Sequence, residues 1–138
     1  MILYHGTNNL NIKNMEKFNY LGISDIFFTP YKAYASLYAF SEVRRAFVKR
    51  NEISKPLLIR VNLSPDFIKS HSNVIYENQN GKYKKSKSTN NIFEVSFPPL
   101  NMNSVKPMIV NVDKNALTLV KKNWSAQEYN FLIELLKK

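Results

Sequence analysis

The apolar residues of this chain occur in short segments, and most of these segments have the composition of β-strands. In residues 57–63 and 91–97, aliphatic and aromatic residues partly alternate with polar ones, as in strands that have one face buried. Comparable segments follow or precede turn-forming Asn, Gly and Pro residues; they cover residues 2–5, 26–29, 74–76, 108–112 and 116–120. We therefore expect roughly six or seven strands, mostly antiparallel.

Helical spacing of apolar residues is found in the middle and at the end of the chain. Residues 31–49 place Tyr34, Leu37 and Tyr38 on one stripe of a predicted helix. Ser125 and Glu128 form a capping box at the start of a predicted C-terminal helix. Shorter helices are predicted at residues 8–15 and 65–68. Strands and helices together predict one α+β domain that covers residues 1–138.

Composition excludes several classes of protein. The chain has 138 residues and 44% hydrophobic residues, enough for a folded core. It has no cysteine, which excludes disulfides and thiolate zinc sites, and with only two histidines we expect no metal site. No apolar run has the length of a membrane span and no signal-peptide layout is present, so we expect a cytoplasmic protein without a membrane partner.

The charge balance is strongly basic. Twenty Lys and Arg residues oppose ten Asp and Glu residues, which gives a net charge of +10. Such a field favours polyanionic partners, nucleic acid among them. The densest cluster lies in residues 82–87, where four lysines surround Tyr83. A solvated, mobile loop is the simplest interpretation of this segment.

The first strand ends in a compact set of polar groups. His5, Gly6 and Thr7 offer a ring nitrogen, an accessible backbone amide and a hydroxyl next to one another. This set suits a polar ligand held at the end of a strand. The alternative is a capped strand whose histidine bonds to a neighbouring group.

A second stretch brings these residues into a longer pattern. A strand that ends in Tyr-His-Gly-Thr is followed by the strand Ile-Phe-Phe-Thr at 26–29 and by a helix that carries Tyr38. This order resembles the ADP-ribosyltransferase superfamily, and specifically the histidine-type branch shared by diphtheria toxin and the poly-ADP-ribose polymerases. The resemblance covers residues 1–39. It implies a split antiparallel β-sandwich with flanking helices and NAD as co-substrate. Phe27 departs from the pattern, because many relatives carry a tyrosine there.

The resemblance also implies roles for individual residues. His5 would bond to the nicotinamide ribose, the Gly6 backbone would fix the carboxamide, and Tyr38 would stack on the nicotinamide ring. A late glutamate would stabilise the positive charge that grows as nicotinamide leaves. The implied catalytic residues are Glu94 and His5, and the implied cofactor-binding residues are His5, Gly6, Thr7, Phe28, Thr29 and Tyr38.

The position of the catalytic glutamate has alternatives. Strand alternation predicts Ile92, Glu94 and Ser96 on one face of residues 91–97, with Phe93, Val95 and Phe97 on the other. Glu94 is the first candidate, with a plain solvent-facing role as its alternative. Glu77, at the end of the strand that begins at Val74, is the second candidate.

The expected function is NAD-dependent ADP-ribosylation of a macromolecular acceptor, either a nucleic acid or a protein associated with one. In the resembling family, the region before the catalytic strand faces the acceptor, and here that region is the lysine cluster of residues 82–87. One alternative is an inactive fold of the same type that only binds nucleic acid or protein. Another is a basic nucleic-acid-binding or nuclease toxin unrelated to NAD. Toxin, phage effector and housekeeping enzyme all remain open.

Overall fold

A computed structural model describes residues 1–138 and shows an α+β fold with three antiparallel sheets and six helices. The strands are β1 Ile2–Asn8, β2 Tyr20–Leu21, β3 Ile26–Phe28, β4 Pro56–Asn62, β5 Val74–Gln79, β6 Lys82–Ser86, β7 Ile92–Phe97, β8 Leu100–Asn101 and β9 Met108–Val110. The helices are α1 Asn9–Phe18, α2 Lys32–Arg50, α3 Pro65–His71, α4 Met102–Val105, α5 Ala116–Asn123 and α6 Ala126–Leu136. None of the six helices combines the length and the apolar character needed to cross a bilayer.

The strands divide into two larger sheets and one small one. The three-stranded sheet has the order β1-β4-β9, the four-stranded sheet has the order β3-β7-β5-β6, and β2 pairs with β8. Tyr4 of β1 and Thr29, just after β3, connect the two larger sheets through two backbone hydrogen bonds of 2.8 and 2.9 Å. Because β1 and β3 pair only at this point, the sheets separate beyond it.

The main core contains residues from both larger sheets. Leu3 and Ile59 come from the three-stranded sheet, and Phe28, Val95 and Phe97 come from the four-stranded sheet. The rings of Phe28 and Phe97 meet edge to face with their centroids 6.0 Å apart. Residues from strands distant in the chain therefore bury one another's apolar faces.

Helix α2 packs against β1 through small residues. Its buried face consists of Ala35, Ser36, Ala39, Phe40, Val43 and Ala46, so the predicted stripe centred on Tyr34 and Tyr38 is not its buried face. β1 also continues through Gly6 to Asn8 instead of turning at the glycine. A β-carbon on Gly6 would lie only 1.8 Å from the backbone oxygen of Ala35. The glycine allows the helix to approach the strand closely.

The prediction of a strand at residues 116–120 is wrong, because these residues begin helix α5. Ala116 and Val120 are both buried and lie four residues apart, which is one helical turn. They pack in a second core with Phe40 of α2 and Leu132 of α6. The capping box is confirmed, since the Glu128 backbone N–H donates to the Ser125 hydroxyl at 3.1 Å and the Glu128 carboxylate accepts from Ser125.

The lysine cluster is not a loop, and this expectation is also wrong. Residues 82–86 form β6, which pairs with β5 in a hairpin. Asn80 and Gly81 both have positive φ, at 53° and 79°, which is the conformation of a two-residue turn of type I′. The Asn80-Gly81 turn therefore closes a hairpin and places the lysines on or beside an edge strand.

Candidate functional site

A cleft of about 1130 Å³ opens where the two larger sheets separate. Its walls come from β1, α1, β3 and α2, with Glu94 contributed by β7. Every predicted site residue lines this cleft, namely His5, Gly6, Thr7, Phe28, Thr29, Tyr38 and Glu94. Glu77 does not line it. A smaller cavity of about 360 Å³ lies elsewhere, beside Ser54 and Leu135, and contains none of these residues.

His5 is held in a defined tautomer. Its Nδ1 lies 2.7 Å from the backbone oxygen of Phe27. Because a carbonyl oxygen can only accept, Nδ1 carries the proton and Nε2 of the neutral ring is an acceptor. Burial lowers the pKa of His5, while the Phe27 carbonyl and the charge of Glu42 act in the opposite direction. The ring is therefore neutral at pH 7 and offers Nε2 as its remaining acceptor.

Thr7 belongs to a polar network at the end of β1. Its hydroxyl oxygen accepts from the Asn11 side chain at 3.1 Å, and the same amide group donates to the Glu42 carboxylate at 3.2 Å. Asn8 caps α1 by accepting from the Asn11 backbone N–H and also donates to the Glu42 backbone oxygen. The network ties β1, α1 and α2 together beside His5.

Phe28 and Thr29 support the cleft wall from within. Phe28 is buried in the core, and its ring lies 5.7 Å from the ring of His5. The Thr29 hydroxyl donates to the backbone oxygen of Phe93 at 2.7 Å and accepts from the backbone N–H of Tyr31 at 3.2 Å. Both polar functions of this hydroxyl are thus used within the chain. The structure gives these two residues a positioning role beside the cleft.

Glu94 follows an irregularity in β7 that the sequence analysis did not predict. Tyr76 of β5 pairs with Glu94 and Glu77 pairs with Ile92, so Phe93 is left without a partner in a β-bulge. As a result Ile92 joins Val95 and Phe97 in the core, and the faces predicted for Ile92 and Phe93 are wrong, whereas Val95 and Phe97 share a face as predicted and Glu94 lies on the other. Phe93 instead packs against Tyr34 with ring centroids 4.8 Å apart.

The Glu94 side chain has no hydrogen-bond or salt-bridge partner within the chain, although it is partly buried. Burial raises the pKa of this carboxyl group above its usual value. A partly desolvated carboxylate without a protein partner is costly to maintain in a structural role. Carboxylates of this kind are typical of ligand-binding and catalytic sites.

Tyr38 presents an exposed ring to the cleft, and Tyr34 orients it. Their hydroxyls lie 2.9 Å apart and their rings meet edge to face with centroids 5.2 Å apart. Burial, together with the hydrogen bond to Tyr38, raises the pKa of Tyr34, so Tyr34 remains a neutral phenol. The sequence analysis did not predict this role for Tyr34, which it placed on the stripe of the helix without a separate function.

Several further residues that line the cleft were not predicted. Lys17 and Arg45 supply positive charge, and Glu42 lies 3.7 Å from Arg45. Glu42 follows Tyr38 by one helical turn, so helical spacing from Tyr38 is the pattern from which it can be predicted. The rim of the cleft carries exposed apolar side chains, namely Phe18, Tyr20, Ile23 and Phe27.

The site therefore combines an imidazole acceptor, an unpaired carboxylate, an exposed aromatic ring and two cations in one cleft. These groups can bind a ligand that has hydroxyls, a flat ring and negative charge. Comparisons with protein-family models, with curated proteins and with solved structures find no match to this chain.

Proposed function

We propose that the protein is an NAD-dependent ADP-ribosyltransferase with a macromolecular acceptor. The observation that carries this proposal is the presence of His5 and Glu94 in one cleft, each with a polar group that has no partner within the chain. The two residues belong to different sheets, whose backbone bridge is the pair Tyr4 and Thr29. A cleft between two antiparallel sheets is also what the resemblance to the histidine-type ADP-ribosyltransferases implies.

The size and charge of the cleft are compatible with a dinucleotide. Small-molecule sites typically measure about 300–1,000 Å³, and this cleft, at about 1130 Å³, is slightly larger. Lys17 and Arg45 place positive charge in its wall, Arg45 beside Glu42, and such cations can bind a pyrophosphate. Tyr38 offers an exposed ring face for a nicotinamide.

NAD supplies the ADP-ribosyl group and, in nicotinamide, a leaving group that is already activated by its positive charge. In the proposed mechanism, His5 accepts a hydrogen bond from a ribose hydroxyl through Nε2, which requires the neutral ring. The ionised Glu94 carboxylate binds a second ribose hydroxyl and stabilises the positive charge that develops as the bond to nicotinamide breaks. Glu94 also takes the proton of the acceptor group, and its raised pKa makes it a stronger base than a solvated glutamate.

The test is a pair of measurements on the purified protein. Thermal unfolding with and without NAD reports binding, and chromatography of the reaction mixture reports nicotinamide release. We expect NAD to raise the midpoint of unfolding, because a ligand that binds only the folded state stabilises it, and we expect nicotinamide to appear with time.

The other outcomes correspond to the alternative functions. Stabilisation by NAD without nicotinamide release would indicate a binding module. The observation that supports this alternative is Phe27, which lies at the rim of the cleft and has no hydroxyl. An unfolding midpoint that does not respond to NAD would contradict the proposal and favour a basic nucleic-acid-binding protein or nuclease.

A further inference from the structure

The edge hairpin extends the face of the sheet that carries Glu94. Lys85 of β6 pairs with Tyr76 of β5, and Tyr76 pairs with Glu94 of β7. Side chains at paired positions of adjacent strands point to the same face, and adjacent strands lie about 4.8 Å apart. The backbones of Lys85 and Glu94 are two strands apart, so the distance between them is about 10 Å.

An aromatic stack lies next to this row. The ring of Tyr83 is nearly parallel to that of Phe93, at 13°, with centroids 3.9 Å apart. Phe93 is the bulged residue immediately before Glu94, and its ring also contacts Tyr34. Tyr83 remains 56% exposed, so one ring face covers Phe93 while much of the rest is open to solvent. An unpaired base can extend this stack from the solvent side.

The lysines around Tyr83 are not neutralised within the chain. Lys82, Lys84, Lys85 and Lys87 are exposed and belong to none of the four salt bridges of the structure. They lie on or beside β6, the edge strand of its sheet, so a chain of phosphates that follows this edge can reach lysines on both faces. Glu77, the nearest acidic partner by register, already accepts from Gln79 and Ser86.

We propose that single-stranded nucleic acid binds this surface, defined by Lys82, Tyr83, Lys84, Lys85, Lys87 and Phe93 and called the β6 platform, and is the acceptor of the transferase reaction. The inference rests on the proposed function for the transfer step and on the platform alone for binding. A flat exposed ring selects for unpaired bases, which a duplex or an acidic polypeptide does not offer.

In the transfer step, a nucleophilic oxygen or nitrogen of the nucleic acid forms a bond to the ribose carbon of NAD as the bond from that carbon to nicotinamide breaks. Nicotinamide leaves with the electron pair of the broken bond and is neutral. The proton of the nucleophile passes to the Glu94 carboxylate. The platform binds the strand beside Glu94, so its residues position the acceptor and take no part in the bond changes.

The binding test uses fluorescence anisotropy in the absence of NAD. The probes are labelled single-stranded RNA and DNA of about 12 nucleotides, the corresponding duplexes, and poly-glutamate. We expect the single strands to bind more tightly than the other probes, and Tyr83→Ala to weaken their binding about ten-fold or more while Tyr83→Phe retains it. Lys85→Gln should reduce the dependence of affinity on salt, whereas Lys69→Gln, an exposed lysine on α3, should not.

Equal binding of duplex or poly-glutamate, or unchanged binding by Tyr83→Ala, would overturn the platform. The transfer arm uses labelled NAD with the single strands. The amount of label transferred to the strand per nicotinamide released should fall in Tyr83→Ala and be retained in Tyr83→Phe. Nicotinamide release without any labelled strand would overturn the nucleic acid as acceptor and leave the proposed activity intact. Strand binding without nicotinamide release would instead contradict the proposed activity.

Discussion

A β-carbon at Gly6 would lie 1.8 Å from the backbone oxygen of Ala35 and 2.7 Å from the backbone nitrogen of Ala39. Strand β1 and helix α2 are thus in direct backbone contact at this point. The same helix carries Tyr38 and Glu42, which line the cleft beside His5. Gly6 therefore sets the distance between His5 and the aromatic and acidic groups of the helix.

This contact predicts that Gly6→Ala destabilises the fold. The added methyl group meets backbone, which cannot rotate away, so we expect the free energy of unfolding to fall by about 3 kcal/mol. Urea unfolding monitored by circular dichroism measures this. Gly81→Ala is the matched control: its β-carbon would meet nothing within 4 Å, and its cost comes only from the positive φ of 79°, about 1 kcal/mol. A greater loss at Gly81 than at Gly6 would contradict the proposed packing role.

Glu94→Gln keeps the shape of the side chain and removes its charge. We expect NAD to bind with similar affinity and the rate of nicotinamide release to fall by about 10²–10³-fold, as when an electrostatic contact to a transition state is lost. Glu77→Gln, on the neighbouring strand but outside the cleft, should leave the rate nearly unchanged. If Glu77→Gln is the inactive variant, the catalytic carboxylate is on β5.

The raised pKa of Glu94 also predicts an effect on stability. The folded-state pKa of Glu94 exceeds its unfolded value of 4.5. The contribution of this group to the free energy of unfolding is therefore fully present below pH 4.5 and is lost as the pH rises through the folded-state pKa. Glu94→Gln should therefore be more stable than wild type at about pH 7 and equal to it at about pH 4. Thermal unfolding at the two pH values measures the difference. A variant that is less stable than wild type at neutral pH would show that the charge has an undetected partner.

His5 predicts a pH dependence of the opposite sign. Because its pKa is lowered on folding from 6.5, its contribution to stability is present above this value and is lost as pH falls through the folded-state pKa. Between about pH 7.5 and about pH 5.5, wild type should lose more stability than His5→Asn. NAD affinity should also fall, because protonation removes the Nε2 acceptor. His71→Asn, at the end of α3 and away from the cleft, should leave NAD affinity unchanged.

Two substitutions of Tyr38 distinguish the contribution of its ring to NAD binding from that of its hydroxyl. Tyr38→Ala should weaken NAD binding by about 0.5–1.5 kcal/mol, the value of an aromatic contact, whereas Tyr38→Phe keeps the ring and loses only the bond to Tyr34. Isothermal titration with NAD measures both. Tyr83→Ala removes an exposed tyrosine outside the cleft and should leave NAD affinity unchanged. An NAD affinity in Tyr38→Ala equal to that of wild type would show that this ring does not contact the dinucleotide.

Interactions between neighbours in the chain were predictable from the sequence. The capping box of Ser125 and Glu128 appears as expected, and the Asn80-Gly81 turn agrees with the turn preference of this residue pair, because each depends on residues only a few positions apart. The Asn8 cap of α1 is of the same kind. Residues 116–120 show the limit of this reasoning: a short apolar segment fits a strand or a helix, and packing against α2 and α6 decides in favour of the helix.

The composition and periodicity of the chain by themselves determined that it forms an α+β structure, with His5 on the first strand and Glu94 on a late one. Only the tertiary structure decided that these two side chains share a cleft, that Phe93 bulges out to stack on Tyr83, and that the lysines lie on an edge strand. The register between β5 and β7 and the contact of α2 with β1 set these positions. Both are contacts between segments far apart in the chain, and their free energy depends on the burial that the whole fold provides.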